Sequence, residues 1–174
     1  MVVGFAANQL RAQFDNFPET ALGIVERIGN YKGLTWSSLS VSSQFTTGVI
    51  SRTPPNSAAY SGAGRLLNGV SNITPIKSGS TFDLTSLFFG CVVSTEETVA
   101  GKPTACTMTV TGYNGSDEVG AQSFVYEPSD LLLAPMEFAR LSTWAHGLTN
   151  VSFETATDTL IATKLDNVRY TIYS

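Results

Sequence analysis

Charge is the scarcest property of this 174-residue chain: Asp, Glu, Lys and Arg make up only 14% of it, against about 25% in an average soluble protein. Lys and Arg number 10 in all, and no local run of them occurs. Neutralising a phosphate backbone relies on clustered basic residues, so the sequence argues against a nucleic-acid partner. One histidine (His146) and two cysteines (Cys91 and Cys106) are too few ligands for a zinc knuckle. No apolar run reaches the roughly 18 residues of a membrane span. Gly62-Ala63-Gly64 lacks both the spacing of a phosphate-cradling loop and a strand before it, and reads as a turn. A Gly-x-Ser-x-Gly nucleophile elbow is also missing. Helical periodicity is nearly absent; residues 54–67 alone suggest a short helix, interrupted by Gly62 and Gly64.

What remains is a chain rich in Ser, Thr, Gly and Asn, with 43% hydrophobic residues and a net charge of −4. Its length fits one domain over 1–174, long enough to hide roughly 70% of its unfolded surface. Strand signals recur along it. Residues 22–28 are mostly apolar, and residues 34–41 alternate around Trp36 and Leu39. Residues 81–93 read as a central strand covered on both faces. In 106–113, Cys106, Met108 and Val110 share one face and three threonines the other, the pattern of a half-buried antiparallel strand. Asn114-Gly115 marks a tight turn, with 119–126 as the returning strand. Residues 136–141, 148–154 and 160–173 supply three more. Eight or nine short strands with almost no helix predict an all-β fold, an antiparallel β-sandwich or jelly roll. The longest irregular stretch, 42–80, is expected to drape over one end of the sandwich as the wall of any pocket.

Cys91 ends one apolar strand and Cys106 starts another, and the Pro- and Gly-bearing link 96–104 reads as a hairpin loop. A disulfide there would join neighbouring strands and stabilise by about 3 kcal/mol; two buried thiols are the alternative. Three glycosylation sequons, at Asn72, Asn114 and Asn150, favour passage through a secretory pathway. The first residues have neither a basic region nor an apolar core of signal-peptide length, so Met1 reads as the start of a form whose leader has been removed.

Candidate chemistry rests mainly on aromatics. Tyr60 lies near Arg52 in the long loop and Trp144 beside His146 in a connection between strands. The functional reading is a stacking platform for a flat or apolar ligand with Arg52, Tyr60 and His146 as polar handles; the alternative is core plugs and edge covers. Such aromatic patches also suit a homodimer interface. Paired acids Glu96-Glu97 and Asp117-Glu118 fall in hairpin links, where carboxylates usually face water. Asp15 and Asp166 would meet if the terminal strands pair, offering oxygen ligands to calcium. Ordinary turn acids are the alternative there, so no metal is assigned.

Several blocks form a pattern: Phe14-Asp15-Asn16-Phe17, residues 31–36, Phe82-Asp83-Leu84-Thr85-Ser86, Val110-Thr111-Gly112-Tyr113 and residues 165–170. Together they resemble small fungal secreted-type proteins with a galactose-binding-like β-sandwich. Within that group, the chain resembles the hetero-Diels–Alderases of tropolonic sesquiterpenoid biosynthesis. The resemblance implies joining of a tropolone-derived ortho-quinone methide to a humulene-type alkene, with hydrophobic small-molecule substrates and no cofactor. No catalytic residue transfers by motif. From the residues alone, Arg52, Tyr60 and His146 are the candidate donors to the heterodiene carbonyl. Trp36, Phe89, Met136, Phe138 and Trp144 are the candidate lining of an apolar cavity that holds two partners together. A carbohydrate-binding or cell-surface module without catalysis is the competing expectation.

Overall fold

The computed structural model describes residues 7–18, 26–43, 47–95, 98–156 and 160–174, with side chains omitted at 63, 64, 67 and 94–100. Fourteen strands and one short helix are present among them. In chain order they are β1 (Ala7–Ala12), β2 (Glu26–Tyr31), β3 (Leu34–Ser43), β4 (Val49–Ile50), β5 (Asn56–Ser61), α1 (Gly62–Asn68), β6 (Ser71–Pro75) and β7 (Thr81–Thr95). There follow β8 (Thr98–Pro103), β9 (Cys106–Asn114), β10 (Asp117–Tyr126), β11 (Ala134–Pro135), β12 (Glu137–Arg140), β13 (Asn150–Thr155) and β14 (Ile161–Tyr173). The all-β class and sandwich architecture are as expected, while the strand count exceeds the eight or nine read from the sequence.

Hydrogen bonding runs in the order β10-β9-β13-β6-β3-β5-β14-β7-β12, with β1 on β14, β2 on β3 and β8 on β7. The two halves of the sandwich are joined through β3. Its first residues, Leu34 to Ser37, pair with β6, and its last, Ser40 to Ser43, pair with β5. A strand that changes neighbour midway carries the sheet round a corner, which is how a twisted sheet closes over its own apolar face. The buried apolar side chains form one cluster, with Trp36, Phe82, Phe89, Tyr126, Phe153 and Tyr170 among the largest. Contacts across it include Tyr60 to Phe153 and Phe89 to Phe124 and Tyr126.

Several local expectations change. The 42–80 stretch is not irregular: it holds β4, β5, α1 and β6. The helix is confined to Gly62–Asn68, because Asn56–Ser61 is drawn into the sheet between β3 and β14. The 96–104 link is not a loop either. Thr98–Pro103 returns along β7 as an edge strand, Thr95 opposite Thr98; Glu96 and Glu97 lie outside the described residues. Of the strand expected over 22–28, only Glu26 onward is described. The Asn114-Gly115 turn is present, with Gly115 at φ +62°, and β9 and β10 form the expected hairpin.

Cys91 and Cys106 form a disulfide, Cα to Cα 6.2 Å. It does not join sheet neighbours. Cys91 lies on β7, in the β14 half, whereas Cys106 opens β9, in the β13 half. The bond therefore crosses between the two halves of the sandwich.

Candidate functional site

Register assigns side chains to faces, because directly paired residues project to the same side of a sheet. On β14, Val168 and Tyr170 are buried and Arg169 is exposed. Arg169 is paired with Arg11 on β1 and with Ser86 on β7, and Ser86 is paired with Arg140 on β12. One row across four strands thus reads Arg11, Arg169, Ser86, Arg140 on the outer face. Neighbouring strands lie about 4.8 Å apart, so the three guanidinium-bearing positions span roughly 15 Å. Irregularities in the β7–β14 register on both sides of Arg169 keep Arg169 outward while Val168 and Tyr170 point in.

The next row adds aromatic surface. Phe138 is paired with Phe88, and Phe88 with Asp166. The two rings meet at 5.2 Å, with Phe138 56% exposed. Arg52 lays its guanidinium over Phe88, 5.2 Å from the ring centroid, a cation–π contact. Beside it, the Thr53 N–H donates to Asp166 Oδ2 at 2.6 Å and the Asn167 N–H to Oδ1 at 2.6 Å. Burial pushes the Asp166 carboxyl up to about 6, against those hydrogen bonds, and repulsion from Asp15 adds to the rise.

The other end of this face carries His146. Its Nδ1 lies 2.7 Å from Asp83 Oδ2, which also accepts from the Tyr173 hydroxyl at 2.8 Å, while Gly147 N–H donates to Oδ1. Burial works to raise the Asp83 carboxyl, but these hydrogen bonds prevail and hold it below the ordinary carboxylate range. The arginine row lies between these two ends, its arginines exposed and Ser86 itself buried among them.

The residues singled out from the sequence are dispersed. Arg52, Phe138 and His146 belong to the outer face. Tyr60 does not: it is paired with Thr163, packs on Phe153, and its hydroxyl bonds to Thr155 at 2.9 Å. Asp83, which holds His146, is paired with Thr171, eight positions along β14 and therefore roughly 25 Å away. The three candidate donors are not gathered in one cavity. Trp36 and Phe89 are core residues, 2% and 1% exposed, and Met136 is buried with them. Trp144 is a plug over Gly112 and Gly120, where an added Cβ would come to 2.6 and 2.7 Å of its side chain. Among the sequons, Asn114 is exposed at the hairpin end, Asn72 is half-buried on β6, and Asn150 has a buried Oδ1.

The arginine row escaped sequence reasoning because its members stand far apart in the chain. The usable signal was an arginine at an outward position of each of three strands, which becomes a cluster only once strand order is known. A second surface feature, at 131–133, exposes three leucines on a loop pinned by Asp130, whose carboxylate accepts the N–H groups of Leu132 and Leu133.

No protein-family model and no curated protein matches the chain. Among solved structures, it is similar to a DUF4465-family protein from Bacteroides caccae, with a TM-score of 0.60 and 12% identity over 94% of this chain and 98% of that one. At that identity the likeness is one of fold.

Proposed function

We propose that the protein is a binding module for an acidic carbohydrate, engaged on the outer face of β1, β14, β7 and β12. The observation that carries this reading is the row Arg11, Arg169, Ser86, Arg140. Like charges directly opposite one another on a sheet are destabilising, and no carboxylate forms an ion pair with any of these arginines among the described residues. The directly opposed Arg11 and Arg169 therefore cost stability, which the attraction of Asp15 for Arg11 offsets in part and a bound anion would offset further. Guanidinium forks match carboxylates and sulfates in bidentate geometry, and the exposed Phe138 ring offers an apolar surface for a sugar face.

Calorimetric titration with uronate and sulfated oligosaccharides tests the proposal. Arg169→Gln is expected to weaken binding at least tenfold, in line with the roughly 1.5–3 kcal/mol of a charge-assisted hydrogen bond. The same change leaves the unfolding free energy unchanged or raises it by about 0.5 kcal/mol, since a like-charge pair is relieved. Absence of binding to any acidic glycan overturns the reading. The cycloaddition implied by the family resemblance has its own assay, incubation with a quinone-methide precursor and humulenol. Product above the buffer background there would replace binding with catalysis.

A further inference from the structure

Leu131, Leu132 and Leu133 are 72%, 72% and 59% exposed. Leucine is among the side chains most often buried, and a single exposed one needs no explanation. Three in succession make a contiguous apolar patch. The loop is built to hold them out. Asp130 Oδ1 accepts the N–H groups of Leu132 and Leu133 at 2.6 and 3.0 Å, and the Ala134 N–H donates to the Gly48 carbonyl at 2.8 Å. Gly48 fits beneath the loop only because it lacks a side chain: an added Cβ would come to 2.3 Å of the Leu132 carbonyl oxygen and 2.6 Å of the Pro103 ring. Val93 and Pro103 line a cleft together with Leu131 and Leu132, and the exposed Lys102 lines it too. With all three leucines exposed at once, a groove on a protein partner takes one or two, whereas the fluid boundary of a bilayer envelops every one.

This loop is joined to the arginine face. Lys164 lies two positions before Asp166 on β14, on the same outer side, and its ammonium donates to Thr47 Oγ1 and the Val49 carbonyl. Val49 is paired in turn with Ala134, the residue after the leucines. Val93 is paired with Ile161, eight positions from Arg169, so the leucines sit at one end of the face with the arginine row roughly 25 Å along it. Charge decides what kind of bilayer fits. The leucines are flanked in the chain by Glu127, Asp130 and Glu137, all exposed, and an anionic phospholipid would meet these acids first. The arginines stand more than two Debye lengths away, about 8 Å each at physiological ionic strength, and do not feel charge at the bilayer surface. An acidic group reaches them when it is carried outward on an oligosaccharide. Resting on the carbohydrate reading above, we infer that the acidic carbohydrate is the headgroup of a membrane glycolipid. The leucines enter the interface of a neutral bilayer, and the projecting acidic sugars lie along the arginine face.

The test measures partitioning onto phosphatidylcholine vesicles carrying a monosialoganglioside or a sulfated glycolipid. Beside them are run the free headgroup oligosaccharides, plain phosphatidylcholine vesicles and vesicles containing phosphatidylserine. The protein is expected to bind a glycolipid vesicle at least tenfold more tightly than the free oligosaccharide. Leu131→Ser combined with Leu132→Ser is expected to remove that advantage while leaving affinity for the free oligosaccharide within about twofold. Both side chains being exposed, the same change moves Tm by no more than about 2 °C. Arg169→Gln is expected to weaken vesicle and free-oligosaccharide binding by the same factor. The inference falls, with the carbohydrate reading intact, if the leucine variant keeps the vesicle affinity or if vesicles bind no more tightly than free oligosaccharide. Leucine-dependent binding to plain phosphatidylcholine or to phosphatidylserine, without affinity for any acidic oligosaccharide, overturns both. A dimer in solution that the leucine variant dissolves, with no vesicle binding, overturns the inference and assigns the patch to a second copy of the chain.

Discussion

Tyr60 shows how far one side chain can depart from the role its sequence neighbours suggest. Close to Arg52 in the chain, it reads as a pocket hydroxyl; β5 turns it inward, where it joins Thr155 and Thr163 in a buried hydroxyl chain. Burial pushes its phenol up to about 12, outweighing the hydrogen bonds from those threonines. A raised folded-state pKa means the folded protein keeps a proton that the unfolded chain releases. Stability from Tyr60 is therefore intact below pH 10 and is lost as the pH rises from there through about 12. Denaturant unfolding at pH 8, 10 and 11 should show a falling free energy, and Tyr60→Phe should flatten that fall. The full effect is on the order of 2–3 kcal/mol. A slope identical in wild type and variant would assign the alkaline loss to other tyrosines, of which Tyr126 is also raised to about 12 by burial.

Secondary structure was legible where period and turn chemistry agreed. The alternation from Cys106 onward and the Asn114-Gly115 turn define β9, its turn and β10 without help from the rest of the molecule. The 42–80 stretch was not legible, because Asn56–Ser61 and Ser71–Pro75 are short, polar and small, and become strands through neighbours distant in sequence. The disulfide was legible as a pair but not as a connection. Its partners were expected on adjacent strands, and the insertion of β8 along β7 instead leads the chain to the opposite half. Closing a loop of this length contributes about 3 kcal/mol. The double variant Cys91→Ser, Cys106→Ser is expected to lower Tm by roughly 6–12 °C, and reduced wild type to follow it. Coincidence of the oxidised wild type and the double variant in differential scanning calorimetry would refute that estimate.

At the level of the whole molecule, a net charge of −4 conceals its opposite on one face, since four of the arginines, Arg11, Arg52, Arg140 and Arg169, gather on the β1–β14–β7–β12 surface. Screening decides which charge a polyanion meets. At 0.1 M ionic strength the Debye length is about 10 Å, shorter than the protein is wide, so the local face governs contact. The protein is expected to be retained on a heparin matrix near 0.1 M salt and released by about 0.5 M. The double variant Arg11→Gln, Arg140→Gln should pass through under the first condition; equal retention would show that the row does not make the contact.

The position of β14 has a consequence for synthesis. It pairs with β1, β5 and β7, all of which precede it in the chain, so Leu10 waits for Tyr170 before its strand has a partner. A nascent chain emerging from the ribosome exposes three unpaired strand edges until this central strand follows. Pairings so distant in sequence slow folding and lengthen the interval in which open edges can find one another. The organisation thus defers completion until β14 has emerged and makes yield during expression sensitive to whatever shields those edges in the meantime.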